Sequence, residues 1–301
     1  MRPAGAVGRS ISEPAMTQLS RHPASEDSTT SMSGGLLSLH RRVREAVANG
    51  IPDGGDAVEA PPGELNPKGD VRQTFDVIAD ELIHRELEAL CPSGVVLSEE
   101  RAEDYTFGPQ PPHYRFIVDP VDGSDNHGRG LPLSAVSIAV LEGVGELGVD
   151  AVEHALVGNL DQDEAFLATR RQGAWQGSRR LHTSGVRRIA EAFISCELNH
   201  WAPAPPLAGV LRNCRGVRSY GCASRAITLV ARGALDAHID IRNRLTPESF
   251  LGASLILTEA GGHLCGLAGT SIGPFRSIRE RTVLIAAAGR DLAMEIVAAL
   301  S

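Results

Sequence analysis

The chain has no long apolar run. No stretch approaches the ~18 residues needed to span a bilayer, so no membrane partner is expected. It also lacks an excess of positive charge: 29 Lys and Arg stand against 37 Asp and Glu, for a net charge of -8. That argues against a phosphate-backbone footprint, and no nucleic-acid partner is expected. The five cysteines, Cys91, Cys196, Cys214, Cys222 and Cys265, are odd in number, widely spaced and without a CxxC pair. This pattern speaks against a zinc site or a disulfide framework and for reduced thiols in a cytoplasm. The histidines, among them His127, His154, His182, His200, His238 and His263, form no HxxxH or HExxH pattern, which removes that metal chemistry. "GLAGTSIG" is rich in glycine but has no P-loop lysine and reads as a loop. No internal repeat is visible, and strands and helices do not follow a strict βαβ rhythm.

What is present is ordinary globular material. The chain has 301 residues, 42% hydrophobic and 22% charged, enough to bury a sizeable core as one large domain or two. Residues 1–34 are rich in Ser, Thr, Pro, Gly and Arg, have no helical or strand period, and read as a disordered tail without a secretory h-region. From Leu36 to Ala48 apolar residues recur at helical spacing. A Gly/Pro-rich linker, "GIPDGGDAVEAPPGELNPKGD", follows. A second helix is expected over Gln73 to Leu90, with Phe75, Val77, Ile78, Leu82, Ile83 and Leu87 on its apolar face. Short strands are expected at Val95 to Leu97, from Phe116, at Ser134 to Glu142, and in "AVEHALVGNL", "EAFLATRRQGAW", "AFISCEL", "LDAHIDI" and "RTVLIAAAG". Helices are expected at Ala223 to Ala231, Phe250 to Ala260 and Asp291 to Leu300. The mixture predicts a layered α/β protein rather than a doubly wound one. It divides into an N-terminal half, 35–180, and a C-terminal half, 181–301.

Acidic residues collect at predicted element ends: Asp76 with Asp80, Glu99 with Glu100, and Asp119, Asp122 and Asp125 within "FIVDPVDGSDN". Like charges this close cost stability unless something positive lies between them. Hard divalent cations such as Mg²⁺ take oxygen ligands of this kind. Asp119 and Asp122, with the Val121 carbonyl between them, can be offered to one small volume in a turn stiffened by Pro120. Gly123 permits close backbone approach, and Ser124 can begin a helix whose free N–H groups face an anion. The plain alternative is an Asx-type turn and an N-capped helix with solvated aspartates. Glu100 reads as a solvated neighbour of Glu99.

"DPVDGSDN" resembles the DP(I/L)DG(T/S)xN signature of the inositol monophosphatase and fructose-1,6-bisphosphatase superfamily of Mg²⁺-dependent phosphatases. "LSEE" and "NPKGDVRQTFDVIADELI" are similar to the bisphosphatase form of the preceding segments. "GVRSYGCASRAITLVARGALDAHIDI" and "LGASLILTEAGG" resemble the C-terminal half of inositol monophosphatases. The four motifs occur in the family's order from about Leu36 to the C-terminus. The resemblance implies a five-layer αβαβα sandwich, with the metal site in the N-terminal half and substrate contacts in the C-terminal half. It also implies a homodimer and two or three Mg²⁺ ions. It assigns one ion to Glu99, Asp119 and the Val121 carbonyl, and another to Asp119 and Asp122. Asp76 and Ser124 would orient and deprotonate the attacking water, and the amides of Gly123 and Ser124 would hold the phosphate. Asp240 would touch substrate hydroxyls, with Ala223 near the substrate ring. Asp240 read on its own is equally a carboxylate at a strand end, and Arg218 and Arg225 either face phosphate or flank the sheet.

One departure stands out. The family has an acidic residue just before the helix that ends in "TEAGG", where it completes the second metal site. Counting back without a gap places Ser249 there, with Glu248 one residue earlier. Glu248 is assigned as the ligand, although Pro247 and Glu248 equally suit a plain helix start. The implied activity is phosphomonoester hydrolysis of inositol monophosphate or a related sugar phosphate by a metal-activated water. Fructose 1,6-bisphosphate and nucleoside 3′,5′-bisphosphates are alternative substrates. A feebly active relative that binds a phosphorylated ligand or a partner is the alternative of another class.

Overall fold

The computed structural model describes residues 31–49, 63–69, 71–199 and 205–301. Most of the expected tail and linker lies outside these residues. Helix α1 (Met32–Asn49) begins four residues before the expected Leu36, so the last residues assigned to the tail form its first turn. Its buried Leu36, Leu39, Val43 and Val47 form one apolar stripe, packed on Ile78, Leu82, Ile83 and Leu87 of helix α2 (Thr74–Leu90). Gly35 explains the close fit, since a Cβ there would lie 2.1 Å from Leu90 Cδ1.

The first sheet contains β1 (Gly94–Ser98), β2 (Tyr105–Phe107), β3 (Tyr114–Asp122), β4 (Ala135–Glu142), β5 (Val152–Asn159), β6 (Ala165–Thr169), β7 (Gly173–Gln176) and β8 (Arg179–Arg180). Their spatial order is β2-β1-β3-β4-β5-β6-β7-β8, and the short helix α3 (Ser124–Gly128) follows β3. Alternation along β3 sends Phe116 and Val118 toward α1 and α2, and Ile117 toward the opposite side. The second sheet contains β9 (Phe193–Cys196), β10 (Gly216–Arg218), β11 (Ala237–Leu245), β12 (His263–Cys265) and β13 (Thr282–Ala287), ordered β10-β9-β11-β13-β12.

Helices α4 (Pro205–Asn213), α5 (Ala223–Ala231), α6 (Leu251–Glu259) and α7 (Arg290–Leu300) complete the chain. Helices α5 and α6 pack together and touch strands of both sheets, while α4 and α7 cover the outer face of the second. The layers are therefore α1/α2, sheet, α5/α6, sheet, α4/α7, the expected five-layer αβαβα sandwich. Helix α6 is buried on all sides from Leu251 to Leu257, as a helix clamped between two sheets must be. Gly252 lets it press on β4, where a Cβ would meet Ser137 Oγ at 2.9 Å. No helix among the described residues is long and apolar enough to cross a membrane. The five cysteines are all free.

Candidate active site

Strand pairing assembles the acidic residues. β1 and β3 run parallel with Ser98 opposite Val118, so Glu99, just past the end of β1, and Asp119, still within β3, lie side by side. The Glu99 amide donates to the Val118 carbonyl at 3.3 Å. β3 stays extended through Asp119, Pro120, Val121 and Asp122, where a tight turn was expected. Its register against β4 shifts between Asp119 and Asp122, an irregularity that re-aims side chains next to a site. The chain turns at Gly123, whose φ of 85° is left-handed. A Cβ there would approach Leu133 O to 2.8 Å and Gly221 O to 3.1 Å, so both space and backbone demand glycine. Asn126 ties this turn to the distant loop before α5 by donating to Tyr220 O at 2.6 Å.

A cleft of about 480 Å³ opens here, lined among others by Lys68, Glu99, Asp119, Asp122, Ser124 and Ser249. Val121, Gly123 and Asp125 also reach it. Asp119 is 1% exposed, and its Oδ1 has no hydrogen-bond partner. Burial, then the charges of Glu99 and Asp122, hold its carboxyl well above the usual range. Asp122 is raised too, chiefly by burial, although it accepts from the amide (2.7 Å) and hydroxyl (2.6 Å) of Ser224 at the start of α5. Asp76 is buried at the start of α2 and does not line the cleft. Its Oδ2 accepts from the Gln73 amide at 2.8 Å, and no hydrogen bond joins it to Ser124. Burial, with Glu100 and Glu99 nearby, pushes its carboxyl up to about 8.

The positive charge among these acids comes from the chain itself. Lys68 Nζ lies 2.8 Å from Glu99 Oε2, 3.0 Å from Glu248 Oε1 and 3.3 Å from Ser249 Oγ. Burial alone would lower its proton affinity, but Glu99, Glu248 and Asp119 hold it well above its ordinary value. Glu248 is 2% exposed, with Oε1 shared between Lys68 and Thr246 and Oε2 unpartnered. Ser249, not Glu248, lines the main cleft. Among the described residues no three acidic, histidine or cysteine side chains are gathered into a ready cation site. The donor chemistry still suits a hard cation: carboxylate oxygens predominate, and two buried ones, on Asp119 and Glu248, lack any partner. The residues thus fit divalent ions once Lys68 yields part of its place.

Two expectations change. Glu100 is 5% exposed rather than solvated, and it anchors the preceding loop by accepting from Asn66 (3.0 Å) and Arg72 (2.8 Å). Asp240 is fully buried and does not reach the cleft, because both its oxygens are taken by Arg242 at 3.0 and 2.7 Å. Arg225 is buried within α5 with its Nε and Nη1 unpartnered, Arg218 lies over the Phe193 ring, and neither lines the cleft. Ala223 lines a second chamber beside the cleft. Sequence reasoning passed over Lys68. Its one signal was a lone cation inside the quoted "NPKGD", and that signal has no meaning until the fold closes the loop over Glu99.

The sequence pattern of the inositol monophosphatase family matches residues 38–301. The chain belongs to that family. Inositol-1-monophosphatase of Rhizobium meliloti is 32% identical over 204 residues, 66% of this chain and 73% of its own. Fructose-1,6-bisphosphatase/inositol-1-monophosphatase of Thermococcus kodakarensis is 28% identical over 235 residues, 78% of this chain and 85% of its own. The crystal structure of extragenic suppressor protein suhB from Bartonella henselae superposes with a TM-score of 0.69 at 25% identity, covering 88% of this chain and 94% of that one. The family is one of phosphatases, and the fold and the order of its motifs are those of an inositol monophosphatase family member.

Proposed function

We propose that this inositol monophosphatase family member is a Mg²⁺-dependent phosphomonoesterase acting on inositol monophosphate or a related sugar phosphate. The observation that carries the proposal is Asp119, a buried carboxylate with an unpartnered oxygen on the wall of an acidic cleft. Glu99, Asp119, the Val121 carbonyl and Asp122 would hold the ions, with Glu248 completing the set from beside Ser249. Bound divalent cations would supply charge neutralisation and a water of lowered pKa. The chain's own groups do the rest. Gly123 and Ser124 would present their amides to the phosphate at the cleft wall. Asp76, its carboxyl pushed up to about 8 by burial, would serve in its ionised form as the general base for the water that Ser124 orients. Reaching that arrangement requires Asp76 to turn toward Ser124 from the Gln73 amide. A homodimer accompanies this reading and is checked by light scattering of the purified protein.

Ser249 and the seated Lys68 favour a second reading, in which the cleft binds phosphorylated ligands with little turnover. Phosphate release from inositol 1-phosphate, fructose 1,6-bisphosphate and adenosine 3′,5′-bisphosphate, with and without Mg²⁺, separates the two. Mg²⁺-dependent turnover of any of them supports the enzyme. Ligand binding without turnover supports the second reading.

A further inference from the structure

Lys68 is built into the acidic wall rather than resting on it. The loop that carries it is closed: Leu65 pairs with Val71, and the Arg72 amide donates to Glu64 O at 2.9 Å. Inside the loop Asn66 Oδ1 accepts from the amides of Lys68 (3.1 Å) and Gly69 (3.0 Å). The side chains of Asn66 and Arg72 both donate to buried Glu100, which fastens the loop beside Glu99. An ammonium has three donors, and three acceptors meet this one: Glu99 Oε2 at 2.8 Å, Glu248 Oε1 at 3.0 Å and Ser249 Oγ at 3.3 Å. Carboxylate and hydroxyl oxygens converging on one small cation are the surroundings of a hard metal ion, and here the cation is the lysine's own.

Two features favour the ammonium over a second metal ion at this place. Position 249, where the order of motifs puts an acid, holds a neutral hydroxyl, so a divalent ion there loses an anionic ligand. Glu248 does not restore it. Its side chain is 2% exposed and absent from the wall of the main cleft, and it lines a separate space of about 90 Å³ together with Lys68 and Glu99. Its charge serves the site by seating the ammonium. Asp119 is different: it is 1% exposed, yet it lines the cleft with Oδ1 unpartnered. Ser224 takes only Oδ2 of Asp122. Those two carboxylates, with the Val121 carbonyl, remain available to an ion. Lys68 can release Glu99 to that ion and still keep Glu248 and Ser249. Because the ammonium is tethered through the pinned loop, its local concentration at the site is high without being drawn from solution.

We infer that Lys68 is a built-in replacement for one of the metal ions of the site, so that the cleft takes a single divalent cation. The inference rests on the metal-dependent reading proposed above. The test titrates the full chain with Mn²⁺ alone and follows binding by calorimetry and electron paramagnetic resonance, in which two ions within about 4 Å of each other couple magnetically. The wild type should bind one Mn²⁺ per chain with an uncoupled spectrum. Lys68→Met should admit a second ion, and Lys68→Met/Ser249→Asp should hold it about ten-fold more tightly, both with a coupled spectrum. Thermal unfolding in Mn²⁺ checks that each variant folds, and either one suffices. A coupled pair in the wild type overturns the inference and leaves the metal-dependent reading standing. A single uncoupled ion in the folded variants also overturns it, since the ammonium would then hold no cation's place. A wild type that binds no Mn²⁺ overturns both.

Discussion

Lys68→Met offers the sharpest test of how the acids coexist. Its ammonium lies 2.8 Å from Glu99 and 3.0 Å from Glu248, and those carboxylate side chains are only 13% and 2% exposed. Removing one partner of a buried pair costs about 3–5 kcal/mol, since the other charge is left uncompensated. The lysine side chain is itself 29% exposed, so solvent screening reduces the figure to about 2–4 kcal/mol. At about 2–3 °C per kcal/mol for a chain of this size, the melting temperature should drop by roughly 5–10 °C. That drop belongs to the metal-free protein. Divalent cations can take over the neutralising role, and the variant should then gain more from Mg²⁺ than the wild type does. The assay is thermal unfolding in EDTA and across a Mg²⁺ titration, with calorimetry for the affinity. An equal deficit in EDTA and in saturating Mg²⁺ would show that Lys68 merely packs. No deficit in EDTA would show that it is not the resident counter-ion, and either result refutes the reasoning.

Ser249→Asp, in the cleft wall, should tighten Mg²⁺ binding about ten-fold by adding an anionic oxygen, and calorimetry reads this directly; unchanged affinity would mean that position 249 does not face the ion. Asp119→Asn should reduce phosphate release at least 100-fold, roughly the scale of losing a metal-held charge at a reacting centre. Its metal-free melting temperature should hold or rise, because the buried like-charge repulsion goes; a marked fall would assign Asp119 a structural role instead. Asp76 gives a pH signature: with its carboxyl pushed up to about 8 in the fold from roughly 4 when unfolded, the native state binds the extra proton between those values. Metal-free stability should therefore decline as pH rises through that window, and Asp76→Asn should flatten the decline. Identical slopes in the two proteins would remove Asp76 from the explanation.

The sequence alone marked the layered architecture and the acidic stretch that the fold places on the cleft wall. Periodicity located α2, α5, α6 and α7 to within a residue or two, because each has a side or a whole circumference that water would penalise. Crowded acids in "DPVDGSDN" and the glycine at the turn are local features, legible wherever they occur. The same local reading missed α4 and the short strands β2, β8, β10 and β12, whose few residues hold no period and depend on a neighbour for their hydrogen bonds. Tertiary structure alone decided which charges are spent and which are free. Lys68 meets Glu248 across 180 positions of chain, and Asp240 looks available until the β11 bulge folds Arg242 back over it. Electrostatic partnership falls off within a few ångströms and ignores chain distance, so pairing of this kind is settled only when the strands and loops have closed on one another.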